Sequence, residues 1–361
     1  MMSAGPWKPI RLEIYQSRIE ELHFPVSVLD DLSSATIDYS ITIDSPIKNA
    51  SVRVTLYPPD SDTPVYSEII PAERIVSRSI TVKHPKLWYP VNYGSQPLYN
   101  VVVDLHKNDT LLDHKNQPLG IRRAHVVQVP LSSEAGTTFY FEINNIPIFC
   151  GGSNWIPADN ILTRLTPDRY REWLTLLVKG NQNMIRIWGG GIYEDDSFYS
   201  TADELGILIW QDFLFACGQY PCHFEFRQNV EREAKTQVKR LRHHPSIALF
   251  AGNNEDYQIA EAASLDWNPN DPSPESWLKT NFPARYLYEK LLPDVVSKYA
   301  PGVFYHPGSP WGGGKPTTDK TVGDIHQWNG SPRNKSGTDN SLAWKSRTIS
   351  IISSINGSLH F

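Results

Sequence analysis

Between about residues 10 and 135, apolar and polar positions alternate with period two in short runs: Arg11-Leu12-Glu13-Ile14-Tyr15, Ala35-Thr36-Ile37-Asp38-Tyr39-Ser40-Ile41, Ser51-Val52-Arg53-Val54-Thr55-Leu56 and Leu98-Tyr99-Asn100-Val101-Val102-Val103. This period sends successive side chains to opposite faces, so each run predicts a strand with one buried face. Turn residues at Pro58-Pro59, Asn92-Tyr93-Gly94 and Lys107-Asn108-Asp109 separate the runs, and the spacing predicts an immunoglobulin-like β-sandwich. Helical periodicity is absent there.

Beyond about residue 137 strand-like and helix-like stretches alternate, which predicts βα units around a parallel sheet. The strand candidates are Pro147-Ile148-Phe149-Cys150, Met184-Ile185-Arg186-Ile187-Trp188, Ile207-Leu208-Ile209-Trp210, Ile247-Ala248-Leu249-Phe250, Val303-Phe304-Tyr305 and Gly323-Asp324-Ile325-His326. Thr166 as N-cap and Pro167 at the first helical position open a helix that ends before Gly180. Further helices are expected over 195–205, 227–243 and 284–299, with 267–277 as an inserted loop. Polar or aromatic clusters follow nearly every strand: Ser153-Asn154-Trp155, Trp188-Gly189-Gly190-Gly191, Gln211-Asp212, Asn253-Asn254-Glu255, His306, and His326 with Trp328. Functional groups at the ends of many strands are the habit of a (β/α)8 barrel, whereas a doubly wound sheet gathers them at one switch point. The expected architecture is therefore a β-sandwich followed by an incomplete TIM barrel of about six strands.

Composition narrows the function. The 361 residues are 40% hydrophobic and 20% charged with a net charge of −5, which describes a folded chain with no basic field to attract nucleic acid or anionic lipid. Neither a leader nor an apolar run of about 20 residues is visible, so the expectation is a cytoplasmic protein without a membrane span. Cys150, Cys217 and Cys222 are too few for a disulfide framework and lack the paired spacing of a zinc site. Neither a metal nor a cofactor is expected. The cations from Lys235 to His244 read as a helix end that complements the macrodipole.

Glu255 follows an apolar strand and two carboxamides. It reads either as a helix-entry glutamate or as a general acid whose pKa is raised by a pocket of amides and aromatic rings. Trp188, ahead of three glycines, reads either as rim packing or as an apolar platform for a sugar. The glycine run is no phosphate loop, since no Lys-Ser or Lys-Thr follows it.

These residues resemble the β-mannosidases of glycoside hydrolase family 2, the fungal type-B enzymes among them. The resemblance rests on Gly152-Ser153-Asn154-Trp155-Ile156-Pro157, Met184-Ile185-Arg186-Ile187-Trp188-Gly189-Gly190-Gly191, Trp210-Gln211-Asp212-Phe213, Gly252-Asn253-Asn254-Glu255 and Gly323-Asp324-Ile325-His326-Gln327-Trp328. It implies a retaining exo-β-mannosidase acting on β-mannoside oligosaccharides, with Glu255 as acid/base and Asn254 touching the sugar. Trp188, Asn154, Trp155, Asp212, His326 and Trp328 would line the pocket. It also implies a division into 1–20, the last part of a sugar-binding sandwich; 21–135, the immunoglobulin-like sandwich; 136–329, the partial barrel; and 330–361, a disordered tail outside the family pattern. A family nucleophile, a glutamate on a seventh strand, finds no counterpart, since the last glutamate is Glu289. An inert carbohydrate-binding or interaction fragment and another family 2 exo-glycosidase are the rival readings.

Overall fold

The computed structural model describes residues 6–326 and the backbone of Ser350–Ile351. Its first part is a sandwich of two four-stranded sheets. In one, strands β1 (Arg18–His23), β2 (Val26–Val28) and β6 (Ile75–Lys83) all pair antiparallel with β3 (Ser34–Asp44). The other runs in the order β5 (Tyr66–Pro71), β4 (Ala50–Tyr57), β7 (Tyr99–Lys107), β8 (Thr110–Leu119). The alternation read from the sequence delivers Ile37, Ile41 and Ile43 from the first sheet and Val52, Val54, Leu56, Val101, Val103 and Leu105 from the second into one core. Each such side chain withdrawn from water contributes about 1.5–3 kcal/mol.

The run Arg11–Tyr15 departs from expectation. It enters no sheet, and Ile10, Leu12 and Ile14 are 88, 87 and 91% exposed. Alternation makes a ribbon with two faces, but a strand also needs a neighbour to receive its backbone hydrogen bonds, and none of the described strands pairs with this run.

A small antiparallel sheet comes next: β9 (Ala124–Val127), β10 (Tyr140–Ile143) and β11 (Ile146–Ile148). Asn144 and Asn145, both left-handed at φ 49° and 64°, turn the chain between the last two, the backbone a tight hairpin requires. That turn commits Ile146–Ile148 to pairing with β10, so the stretch 147–150 is a hairpin arm rather than the first parallel strand.

The parallel sheet has five strands in sequential order: β12 (Gly152–Trp155), β13 (Met184–Ile187), β14 (Leu208–Asp212), β15 (Ile247–Ala251) and β16 (Phe304–His306). This order carries no reversal of the kind that marks a doubly wound switch point. The sixth expected strand does not join it. Gly323 at φ 62° and a Trp311–Asp324 bridge carry the chain across the sheet's end, and β17 (Ile325–His326) pairs with β18 (Ser350–Ile351) instead.

Helix α1 (Pro167–Lys179) starts as expected, with Thr166 Oγ1 accepting from the Arg169 N–H at 3.2 Å. Helix α2 (Asp196–Leu205) is capped by Asp195 and stopped by Gly206 at φ 75°. Helix α3 (Phe224–Leu241) begins three residues before the expected Arg227 because the His223 side chain caps it. The last expected helix is divided: a wide turn over Leu287–Leu291 precedes the regular helix Leu292–Tyr299. Pro293, which has no N–H to donate back into the preceding turn, accounts for the widening.

Period-two alternation, reset in β15 by a one-residue register shift between Ile247 and Leu249, gives the parallel sheet two apolar faces. Ile185, Ile187, Ile209, Ile247 and Phe250 meet the helices, whereas Met184, Leu208, Trp210 and Leu249 meet Phe139, Phe141, Ile143 and Trp88. The sandwich is joined to this unit by polar contacts. Glu21 on β1 takes Lys239 Nζ at 2.5 Å and Arg242 Nη2 at 2.7 Å from α3, so the basic helix end has a carboxylate partner that its macrodipole role did not call for. Fully buried Trp88 donates its indole N–H to the Asp203 carbonyl at 2.8 Å, and its own carbonyl accepts from Asn144 at 2.9 Å. Trp88→Phe keeps much of the ring packing but orphans the Asp203 carbonyl, so urea unfolding should register a loss of about 1–3 kcal/mol. A loss no larger than the roughly 0.5 kcal/mol of a surface substitution would contradict this.

Candidate active site

Polar groups gather where the chain leaves the C-terminal ends of the parallel strands. On β13 the alternation that sends Ile185 and Ile187 to the helices turns Arg186 to the opposite face, where it is buried. Its guanidinium grips Asp212 at the end of β14 through Nη2–Oδ2 at 2.7 Å and Nε–Oδ1 at 3.2 Å. It also donates to Asn254 Oδ1 at 2.9 Å and to Asn154 Oδ1, its register neighbour on β12, at 3.4 Å. Trp210 Nε1 and the Gly189 N–H complete the shell of Asp212 at 2.9 and 3.1 Å. Burial pulls the Asp212 carboxyl upward, against the pull of the guanidinium.

After β15 the chain crosses β16 closely: a Cβ on Gly252 would lie 2.2 Å from the Pro307 carbonyl oxygen, so only glycine fits. Asn254 and Glu255 follow. The Glu255 N–H donates to the Ser309 carbonyl at 2.8 Å, and the residue is left-handed at φ 65°. Its Oε1 lies 2.6 Å from His326 Nδ1 and its Oε2 3.4 Å from the Cys217 Sγ. Asn254 Nδ2 donates to that same sulfur at 3.2 Å. Burial and the neighbouring carboxylate push the Cys217 thiol up to about 11, so it remains the S–H donor.

The expected elevation of Glu255 does not occur. The hydrogen bond from His326 holds its carboxyl below the ordinary glutamate range, outweighing burial, with further lowering from the charge on His326, from Cys217 and from Arg186. The pocket is not made of uncharged amides alone, because a hydrogen-bonding imidazole faces the acid.

Behind His326 lies a second buried cluster. Ser309 Oγ is 2.9 Å from His326 Nε2 and 2.7 Å from Asp324 Oδ2, and Asp324 Oδ1 receives His306 Nε2 at 2.8 Å and the Trp311 N–H at 2.9 Å. Burial works against the Asp324 charge, but these bonds hold its carboxyl below the usual range.

The structure thus brings Asn154, Asp212, Asn254, Glu255 and His326 into one connected network. Trp188 stands at its edge, half-buried, its ring lying over Gly190, where a Cβ would meet it at 2.1 Å. Trp155 is not brought to it. One residue on from Asn154, it points to the opposite face, donates to Glu194 at 2.8 Å and packs on Tyr170 and Phe198. Trp328 and the stretch 330–361 fall outside the described residues, apart from the backbone of Ser350–Ile351. Arg186, Cys217, Ser309 and Asp324 were given no role from sequence. Arg186 and Asp324 stand inside quoted motifs, whereas Ser309 carries no local signal. Among the described residues no group of three His, Cys, Asp or Glu could hold a metal ion, and no helix is long and apolar enough to cross a membrane.

Residues 17–122 match the family model described as glycosyl hydrolases family 2. Over 336 residues the chain is 48% identical to β-mannosidase B of Aspergillus fumigatus, covering 91% of this chain and 39% of that protein. Against β-mannosidase B of Emericella nidulans it is 47% identical over 330 residues, with the same coverage. The crystal structure of a β-D-mannosidase from Dictyoglomus thermophilum superposes with a TM-score of 0.74 at 34% identity, covering 87% of this chain and 37% of that one. The chain is therefore similar over residues 17–122 to the class of family 2 glycosyl hydrolases. Within that class, the resemblance to fungal β-mannosidase B holds across nine-tenths of its residues, and it spans 39% of the length of those curated relatives.

Proposed function

We propose that this chain carries the acid/base half of a retaining exo-β-mannosidase site, acting on terminal non-reducing β-D-mannose. Glu255 would donate the proton to the glycosidic oxygen and Asn254 would contact the sugar, with Trp188, Asn154, Asp212, His326 and Trp328 around them. The setting would be a partial TIM barrel over 136–329 behind an immunoglobulin-like sandwich over 21–135, in a cytoplasmic enzyme, which the three free cysteines suit. The observation that carries the reading is the Glu255 carboxyl, just beyond the C-terminal end of β15, held at both oxygens by Cys217 from the segment after β14 and by His326 on β17. Mannose as the sugar rests on the names of the relatives. A retaining mechanism needs a second carboxylate about 5 Å away. The sequence has no glutamate after Glu289, and Glu289 is bound by Arg285 and Tyr257, so the reading includes that these 361 residues lack the nucleophile.

An added anion tests this. Azide can attack the anomeric carbon as the bond to the leaving oxygen breaks and Glu255 gives that oxygen its proton, yielding α-mannosyl azide. With 4-nitrophenyl β-mannoside, the expected result is negligible hydrolysis in plain buffer and α-mannosyl azide once azide is present. No azide product together with no saturable mannoside binding would overturn the reading.

A further inference from the structure

The hydrogen bonds around Ser309 fix which nitrogen of His326 carries a proton. Asp324, held as a carboxylate, has no proton to give, so the Ser309 hydroxyl donates to its Oδ2 at 2.7 Å. A hydroxyl has one hydrogen. At 2.9 Å the donor to Ser309 Oγ must then be His326 Nε2. Nδ1 is left facing Glu255 Oε1 at 2.6 Å, a contact that needs one proton: none would set two lone pairs against each other, and two would collide. That proton sits either on Nδ1, giving an imidazolium against a carboxylate, or on Oε1, giving a neutral imidazole against a carboxylic acid.

We infer that His326 and Glu255 form a one-proton dyad in which His326 is a positioning residue, and that a ligand excluding water from the pocket drives the shared proton onto Glu255. The inference deepens the proposed acid/base role of Glu255 and rests on it. The Glu255 side chain is 17% exposed and that of His326 only 3%, so the carboxylate end is where water still reaches the pair. Removing that water penalises the charge-separated form more than the neutral one. The Nδ1–H bond then breaks, its electron pair stays on nitrogen, and an O–H bond forms on Glu255, with no other reactant needed. This reconciles a general acid with a carboxyl held low in the open pocket.

The other charged and titratable groups facing the pair are accounted for. Cys217 donates to Oε2; Arg186 reaches it through Asn254 and is neutralised by Asp212. Asp256, pushed up to about 7 by burial, turns to Tyr288 and the Gly218 N–H. Asp324 and His306 lie beyond Ser309.

The test is NMR of the full chain labelled with 15N-histidine and 13Cδ-glutamate, using Glu255→Gln to assign the carboxyl signal and methyl β-mannoside as the probe. Four results are expected. His326 should keep Nε2 protonated when neutral. Saturating probe should move the Glu255 signal toward the acid form while Nδ1 loses its proton. His326→Asn should shift the Glu255 midpoint upward and abolish the probe-induced change, and Ser309→Ala should release the tautomer. A bare Nε2 with protonated Nδ1, or an unchanged midpoint in His326→Asn, would overturn the dyad. Should that variant fail to fold, the wild-type tautomer decides alone. If the probe does not bind, the proposed function fails while the tautomer and midpoint still judge the dyad.

Discussion

Replacing Glu255 with glutamine should cut azide-supported cleavage of β-1,4-mannobiose by about 10²–10⁴-fold, the usual contribution of a positioned general acid. The size of the loss should depend on the leaving group. A sugar alkoxide is a poor leaving group and requires the proton, whereas 2,4-dinitrophenolate departs without one. With 2,4-dinitrophenyl β-mannoside as donor, Glu255→Gln should therefore lose far less. A steeper dependence of rate on leaving-group pKa in the variant than in the parent is the diagnostic result. Equal losses on both donors would mean that Glu255 supports binding or shape rather than proton transfer.

Arg186→Met should cost about 3–5 kcal/mol, because it leaves Asp212 as an uncompensated buried charge. Asp212 is fully buried, and Arg186 is its bidentate partner as well as the donor to Asn254 and Asn154. The same reasoning predicts that the double variant Arg186→Met with Asp212→Leu is less damaged than the single one, since removing both charges also removes the penalty of stranding one. Urea unfolding of the parent, the two single variants Arg186→Met and Asp212→Leu, and the double variant measures this. A double variant as unstable as the sum of its parts would show that the pair acts independently and that the stranded-charge account is wrong.

Much of this organisation was legible in local pattern. Alternation located the sandwich strands because each buries one face, and Thr166-Pro167 marked a helix start because cap and first-turn chemistry are local. Glu255, Asn254 and Asp212 were found because they stand directly after strong apolar strands. What escaped were properties set by partners distant in sequence. Arg11–Tyr15 alternates as well as any strand, yet no described strand pairs with it. Trp155 and Asn154 are adjacent, and only the direction of the pleat decides that one faces helices and the other Arg186. The depressed Glu255 carboxyl depends on His326, 71 positions away, and the orientation of His326 depends on Ser309, which has no motif of its own.

Glu255 holds its carboxyl from a left-handed backbone, φ 65°, which disfavours every residue that carries a Cβ by about 1–2 kcal/mol. Glycine at that position would relax the backbone and delete the acid in one substitution. Under the proposed acid role of Glu255, selection for thermal stability and selection for chemistry therefore pull position 255 in opposite directions. A directed-evolution library screened for heat resistance alone should drift away from glutamate there, and a lineage released from its catalytic duty should show that loss early.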